Sequence, residues 1–313
     1  MYGIDITKRT VTVDADTLLY SAAALQQKMT YVLTHKQTGE TVKHQYVNDY
    51  KDWLKQRGEN LDDYIVEKEF EITGNVEFAL RSIKLALEKI VEQTGADDYR
   101  VFVGGRGNFR MEYESKWVQY KANRVEKPLL FNEIKNALPK LFKDRVIYVD
   151  GQEVDDVVVS IMWWAFHAQA QDKVILAGVD KDLFANCFGY FYNYKQENSE
   201  IEYVSNKEMF YGFCRQLLIG DSCDNIPNVT TTKAFKEKYG FNVRGIGAAT
   251  ADRLLKSVNS RKEMVELVVD IYKLCYNEWY DRLKDIAFFL WLKRHPDDVF
   301  NLDTWLEKCG VTL

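Results

Sequence analysis

A chain of 313 residues with 46% hydrophobic and 28% charged content has the composition of an ordinary soluble globular protein, long enough for one large core or a core with a smaller appended module. No run is apolar for long enough to span a bilayer and the N-terminus lacks a signal peptide's apolar region, so membrane and secreted roles are excluded from the expectation. The formal net charge of −5 argues against a polyanionic partner only until its distribution is read. Arg100 to Arg145 holds 11 Lys/Arg against 5 Asp/Glu, and Thr231 to Lys262 holds 8 against 2. Two basic zones in an acidic chain suit a polyanion gripped by its backbone.

In chain order, residues 10–14 read as a buried strand and 17–29 as a helix rich in Ala and Leu. Segment 30–72 looks like an excursion, with Thr38-Gly39 separating two β-prone runs and 64–72 partly alternating. Apolar residues at Val76, Leu80, Ile83, Leu87 and Ile90 predict a helix over 76–93, followed by a strand at Arg100–Val103. From Gly104 to Pro128 the chain is basic and aromatic without a clear apolar period. Then come a helix near 129–142, a strand at 145–149, a helix from about 153 to 170 and a strand at 173–177. Strands alternating with helices imply an α/β fold with a mostly parallel central sheet and crossovers. After Asp221 the chain reads as helical, and Gly245-Ile246-Gly247 opens a helix. The five cysteines are odd in number and widely spaced, with no CxxC pair. They read as free thiols in a reducing, cytoplasmic compartment.

Chemistry concentrates where strands end. Val11-Thr12-Val13 runs into Asp14-Ala15-Asp16, and the strand closing at Val149 is followed by Glu153-Val154-Asp155-Asp156. Val174-Ile175-Leu176 leads to Asp180-Lys181-Asp182, and Gly220-Asp221-Ser222-Cys223-Asp224-Asn225 completes the set. Ligands of parallel sheets gather beyond the carboxyl ends of the strands, which would bring these distant acids to one edge. Carboxylates crowded in a cleft repel one another unless divalent cations neutralise them. Oxygen ligands with little His or Cys nearby select Mg²⁺ or Mn²⁺, and two such ions suit phosphodiester chemistry. Asp16 reads as a turn or helix-capping residue. Tyr113, Trp117 and Tyr120 read equally as stacking groups for an unpaired base or as packing.

Taken in order, Tyr120-Lys121-Ala122-Asn123-Arg124, Glu153-Val154-Asp155-Asp156, Asp180-Lys181-Asp182, Gly220 to Pro227 and Gly245-Ile246-Gly247, together with the Asp14 strand, resemble the 5′-nuclease superfamily of exonucleases and flap endonucleases. The resemblance spans roughly residues 10 to 256. It implies a PIN-like nuclease core over 1–219 with a helical arch at about 104–128. It further implies a helical DNA-binding region over 220–313 with a helix–turn–helix at about 221–258. A metal-dependent 5′–3′ exonuclease and flap endonuclease is implied, acting as a monomer on DNA flaps, nicks and duplex ends. Alternatives are a primer-removing nuclease acting on RNA–DNA hybrids, and a catalytically weakened junction-binding protein.

By the same resemblance Asp14, Glu153, Asp155 and Asp156 serve a first metal, and Asp180, Asp182, Asp221 and Asp224 a second. A potassium ion is implied at the helix–turn–helix. Lys121 is the expected source of transition-state charge stabilisation and Arg124 a phosphate clamp. Arg110, Lys116, Tyr120, Lys127, Lys233, Lys236, Lys238, Gly245, Gly247 and Arg253 are the expected DNA contacts. The chain departs from the pattern twice. Gly104-Gly105-Arg106 stands where relatives usually carry an Asp, which implies weaker metal binding or substitution by an acid such as Glu112 or Glu114. Thr230 to Arg244 is a polar and basic insertion, expected either to widen the DNA surface or to stay mobile.

Overall fold

The computed structural model describes residues 1–312. Its strands are β1 (Thr10–Asp14), β2 (Gln27–His35), β3 (Thr41–His44), β4 (Tyr64–Ile72), β5 (Asp98–Gly104), β6 (Val146–Val149), β7 (Val174–Ala177), β8 (Gly189–Tyr192) and β9 (Ile201–Val204). Between them lie α1 (Asp16–Ala24), α2 (Val47–Arg57), α3 (Val76–Thr94), α4 (Phe109–Glu112), α5 (Phe131–Phe142), α6 (Val154–His167) and α7 (Lys181–Asn186). The helices α8 (Asn206–Ile219), α9 (Lys233–Tyr239), α10 (Ala248–Leu255), α11 (Arg261–Cys275), α12 (Trp279–Leu290) and α13 (Leu302–Lys308) complete the chain.

Packing divides the chain into two compact units: Met1–Asp16, Lys89–Val125 and everything from Asp144 onward form the first, and Thr17–Glu88 with Glu126–Lys143 the second. In the first, six strands lie in the order β6-β5-β1-β7-β8-β9, parallel except where β9 closes an antiparallel pair with β8. All five β1 residues are buried, as a central parallel strand covered on both faces requires. The expected α/β class and mostly parallel sheet are therefore what the chain forms. One hydrophobic cluster joins Phe102 and Leu176 of the sheet to Val157, Val158 and Ile161 of α6. Another joins α8 to the helices that follow it, including Phe213, Leu217, Val265 and Ile286. Residues 220–313 thus share a compact unit with the sheet, whereas the sequence led us to separate them at 219/220.

The second unit holds an antiparallel sheet in the order β3-β2-β4 and α2, packed around Leu33, Tyr50, Leu54 and Tyr64. Here the helix expected over 17–29 stops at Ala24. Gln26 turns the chain, donating to the Ala22 carbonyl at 3.2 Å, and Gln27 already pairs with Ile72 across β2 and β4. One further expectation fails locally. Segment 104–128 has only α4 as α-helix and is otherwise turns and irregular chain, so it is no helical arch. The 230–244 insertion forms α9, whose Phe235 is fully buried in the helical core.

Candidate active site

The parallel register sets the stage. Asp14 ends β1 opposite Phe102 of β5, and the chain leaves β6 and β7 on the same side toward Glu153 and Asp180. Glu153 is the N-cap of α6, whose first turn is closed by a capping box with Asp156. Asp180 is the N-cap of α7 and accepts the Asp182 N–H at 2.9 Å. Asp221 enters a tight turn, exchanging backbone hydrogen bonds with Ile226 at 2.9 and 2.7 Å. Gly220 before it has φ +64°, and a Cβ there would meet the Ile226 carbonyl oxygen at 2.4 Å, so only glycine fits.

Two loops interlock beside these acids. The Lys121 N–H donates to the Asp224 carbonyl at 2.9 Å, Asn123 Nδ2 to the Ser222 carbonyl at 2.7 Å, and Asn225 Nδ2 to the Gln119 carbonyl at 2.8 Å. Lys121 sits at φ +58°, a strained value for a residue with a side chain, and this strap holds it there. Its Nζ contacts Glu153 Oε1 and lies 3.6 Å from Asp224 Oδ2. Burial holds the Lys121 ammonium below its ordinary range. Arg124 Nη2 reaches Asp224 Oδ1 at 2.9 Å from a largely open position. The Tyr120 hydroxyl bridges Glu153 Oε2 at 2.7 Å and Asp224 Oδ2 at 3.0 Å. Burial first, then the Asp224 charge, drives the phenol far above its usual range.

The acids fall into two sets. Asp156 is fully buried and saturated. Its Oδ1 accepts Arg110 Nη2 at 2.8 Å and the Lys293 N–H at 3.0 Å, and its Oδ2 accepts Arg110 Nη1 at 2.6 Å and the Glu153 N–H at 3.2 Å. Glu153 and Asp224 are likewise claimed by the cations and phenol just described. Asp14, Asp155, Asp180 and Asp182 have no basic side chain in ion-pair contact among the described residues. Burial, then Asp16 and Asp180, push Asp14 up to about 7. Burial, then Asp180 and Asp221, push Asp182 up to about 8. Burial, with Asp14 and Asp180 next, lifts Asp155 well above the carboxylate range, and burial with Asp221 and Asp224 lifts Asp180. Burial leads each shift and mutual repulsion adds to it, eased at Asp180 and Asp182 only by the Lys181 ammonium, whose Nζ pairs with Asp221 at 3.2 Å.

The donor set is oxygen-only and suits Mg²⁺ or Mn²⁺. Among the described residues, no three of these side chains close on one point tightly enough to grip an ion in this conformation.

No protein-family model and no curated protein sequence matches the chain. Solved structures do. Among them are structures of the bacteriophage T5 5′-exonuclease and flap endonuclease. A T5 5′-exonuclease mutant is 12% identical over 90% of this chain and 88% of its own, with a TM-score of 0.46. A T5 protein co-crystallised with metal ions is 14% identical over 90% and 89%, at 0.47. A T5 flap endonuclease in a pseudo-enzyme–product complex with DNA and metal ions is 15% identical over 74% and 89%, at 0.44.

By their contacts in the structure, the expected site residues fall into two groups. Asp14, Glu153, Asp155, Asp180, Asp182, Asp221, Asp224, Lys121 and Arg124 are linked by the contacts and mutual charge effects above. Asp156 has no lone pair to spare for a metal and is a structural anchor. Arg110 was expected on DNA but is completely buried, with Nη2 also donating to the Trp291 carbonyl, so it cannot reach a phosphate. Tyr120 is buried against Phe289 with its ring centroid 5.0 Å away and is equally unavailable. Tyr113 stacks on Phe288 at 4.1 Å and donates to Asp285, so packing is its role. Lys116, Lys233, Lys238 and Arg253 are exposed, Lys236 half-buried, and Gly247 caps α10 from an open position. Lys238 pairs with Asp270 at 2.7 Å and Lys116 with Glu278 at 3.3 Å. A Cβ at Gly245 would press on Asn228, which limits that glycine to a packing reason. Lys127 belongs to the second unit, over the Phe131 ring.

Asp16 is more than a local turn. Its Oδ1 accepts the Gly104 N–H at 2.9 Å, and a Cβ at Gly104 would stand 2.9 Å from its Oδ2. The carboxylate of Asp16 therefore fills the end of β5, where the chain lacks an acid of its own. Glu112 and Glu114, the expected substitutes, are exposed. At Gly105 a Cβ would meet Asp150 Oδ1 at 2.1 Å and the Val149 carbonyl at 2.6 Å. No side chain fits there.

Proposed function

We propose that this protein is a metal-dependent nuclease that hydrolyses DNA phosphodiesters at 5′ ends and flaps. The observation that carries the reading is the set of four carboxylates, Asp14, Asp155, Asp180 and Asp182, brought from three strand ends and left without a balancing cation, beside a lysine–arginine pair. Asp14, Asp155, Asp180 and Asp182 would hold divalent cations, with Glu153, Asp221 and Asp224 completing the set as their present partners rearrange. Such cations neutralise the acids and supply Lewis-acid stabilisation of a phosphodiester under in-line attack.

The chain's own groups do the rest. Lys121, partly desolvated and held by the strap, would offer its positive charge to the phosphate being cut, and Arg124 would clamp a neighbouring phosphate from its open position. Tyr120 fixes Glu153 and Asp224 in mutual register. Arg110 fixes Asp156 and through it the first turn of α6, from which Asp155 projects. The exposed cations Lys116, Lys233, Lys238 and Arg253, with Lys236 and the open start of α10, would meet the DNA backbone.

The test is a 5′-labelled flap, a nicked duplex and an RNA–DNA hybrid incubated with Mg²⁺, Mn²⁺ or EDTA. Divalent-dependent release of a short 5′ fragment from the flap supports the reading. Preference for the hybrid would make it a primer-removing nuclease instead. Tight binding without cleavage in either metal would make it a junction-binding protein.

A further inference from the structure

The two long helices that reach the carboxylates have other ends, and those ends meet a cavity. α6 carries Glu153 and Asp155 at its start, and Trp163 and His167 near its finish line the cavity. α8 runs toward Asp221 at its finish, and Asn206 and Phe210 near its start line the same cavity. Each helix has 14 residues, so about 20 Å of rod separates its far end from the acids, and the cavity reaches up α6 as far as Ser160, five residues from Asp155.

The cavity measures about 1020 Å³, the size of sites that hold a small molecule or a peptide end, and far beyond that of a lone ion. Its walls are largely apolar and include the rings of Trp163, Phe210, Trp291, Phe300 and Trp305. Arg294 stands among them, its guanidinium carbon 3.9 Å from the Trp291 ring centroid and 4.7 Å from that of Trp163. Its Nε is buried without a hydrogen-bond partner, and no carboxylate lies in ion-pair contact with it among the described residues. Burial lowers this guanidinium to about 10, which leaves it cationic at neutral pH. The nearby acid, Asp298, already accepts the Trp291 Nε1–H at 2.9 Å and the Arg294 N–H at 3.0 Å through one oxygen. Lys308 and Arg261 add positive charge to the lining, and exposed Val299 adds an apolar rim.

We infer that this cavity binds a peptide segment of a partner protein in which an apolar or aromatic side chain is followed by a free carboxylate. The side chain would pack among the indoles, and the carboxylate would take the fork of Arg294, the geometry that guanidinium matches best. A nucleotide would also bring a ring and an anion. Its base edges, however, need hydrogen-bonding partners, and several polar atoms of the lining are already engaged. Ser160 Oγ donates within the protein, Asn206 Oδ1 accepts from Arg261, and Asn301 Oδ1 caps α13. Unpaired edges are costly in such a site, whereas an apolar side chain leaves none.

The whole protein would be titrated with acetyl-Glu-Leu-Phe carrying a free C-terminal carboxylate, with the same peptide amidated, and with AMP, read by indole fluorescence and by calorimetry. Saturable binding of the acid is expected, weakened about tenfold by amidation or by Arg294→Gln. Val299→Asp, on an exposed rim residue that folding does not need, should weaken it as well while cleavage of a DNA flap is unchanged. Absence of saturable binding, equal binding of acid and amide, tighter binding of AMP, or full binding by the Val299→Asp variant would each overturn the inference.

Discussion

Asp155 and Asp156 are chain neighbours on the first turn of α6 and have opposite circumstances. Asp156 has both oxygens filled by Arg110 and two backbone N–H groups, and its charge is neutralised inside the fold. Asp155 faces Asp14, Asp180 and Asp182 with no basic partner, and burial and those charges hold its carboxyl well above the ordinary carboxylate range. The same contrast runs through the site, with Glu153 and Asp224 on the paired side and Asp14, Asp180 and Asp182 on the unpaired side. A carboxylate paired inside the protein stabilises the fold. One left unpaired in a crowd destabilises it until something from outside supplies positive charge, and that is how a site for cations differs from a structural network.

The largest expected effect comes from removing an unpaired acid. Asp155→Asn or Asp180→Asn should reduce flap cleavage by about a thousandfold while leaving the metal-free protein as stable as before or more so. Melting temperature and cleavage measured on the same preparation decide it. A variant that cuts normally, or one that unfolds at ambient temperature, breaks the contrast.

Removing the paired neighbour should do the reverse. Asp156→Asn strands the buried Arg110 and should cost roughly 3–5 kcal/mol of stability in denaturant unfolding. Loss of activity without loss of stability would show that Asp156 acts on the metal after all. Lys121→Ala should lower the single-turnover rate by about tenfold to a hundredfold and weaken duplex binding less. Equal losses in rate and affinity would reduce Lys121 to an electrostatic contact. Gly105→Asp should destabilise by about 1–3 kcal/mol through overpacking against Asp150 and leave the Mg²⁺ requirement no lower. Smallest is the effect of neutralising Lys233, Lys236 and Lys238 together. Binding should weaken, and the slope of log affinity against log salt should flatten by no more than about three, the number of charges removed. An unchanged slope would take α9 off the DNA.

Much of this contrast could not be read from the chain alone. The acids at strand ends were legible, because a parallel sheet sends the exits of β1, β6 and β7 to one edge and the sequence shows an acid after each. Their partners were not. Arg110 lies 46 residues before Asp156, and nothing in its neighbourhood marks it as buried. A basic, aromatic segment without apolar period looks the same whether it binds DNA or braces an active site. Only the strap between 119–124 and 222–225 shows that Tyr120 belongs to the second class. β2 was hidden for a related reason. Gln27–His35 follows a helix-forming run, and its pairing with β4, up to 45 residues away in sequence, decides its conformation. Asp16 was legible as a helix start and misleading as no more than that, since its bond to Gly104 joins the start of α1 to the end of β5.

The central claim, that the unpaired acids await cations, is tested most directly by the pH dependence of Mg²⁺ stabilisation. Asp14 and Asp182 are raised from the ordinary 3.8 to about 7 and about 8, so the fold binds their protons more tightly than the unfolded chain does. The stability this contributes is full below about pH 4 and is lost as pH rises through 7 to 8. Magnesium competes for the same oxygens and replaces the missing protons. The melting temperature should therefore rise little with Mg²⁺ at pH 5 and by several degrees at pH 8 in the native protein, with the rise reduced in Asp155→Asn. A Mg²⁺ shift that is absent at pH 8, or equal at both pH values and in the variant, would contradict the account.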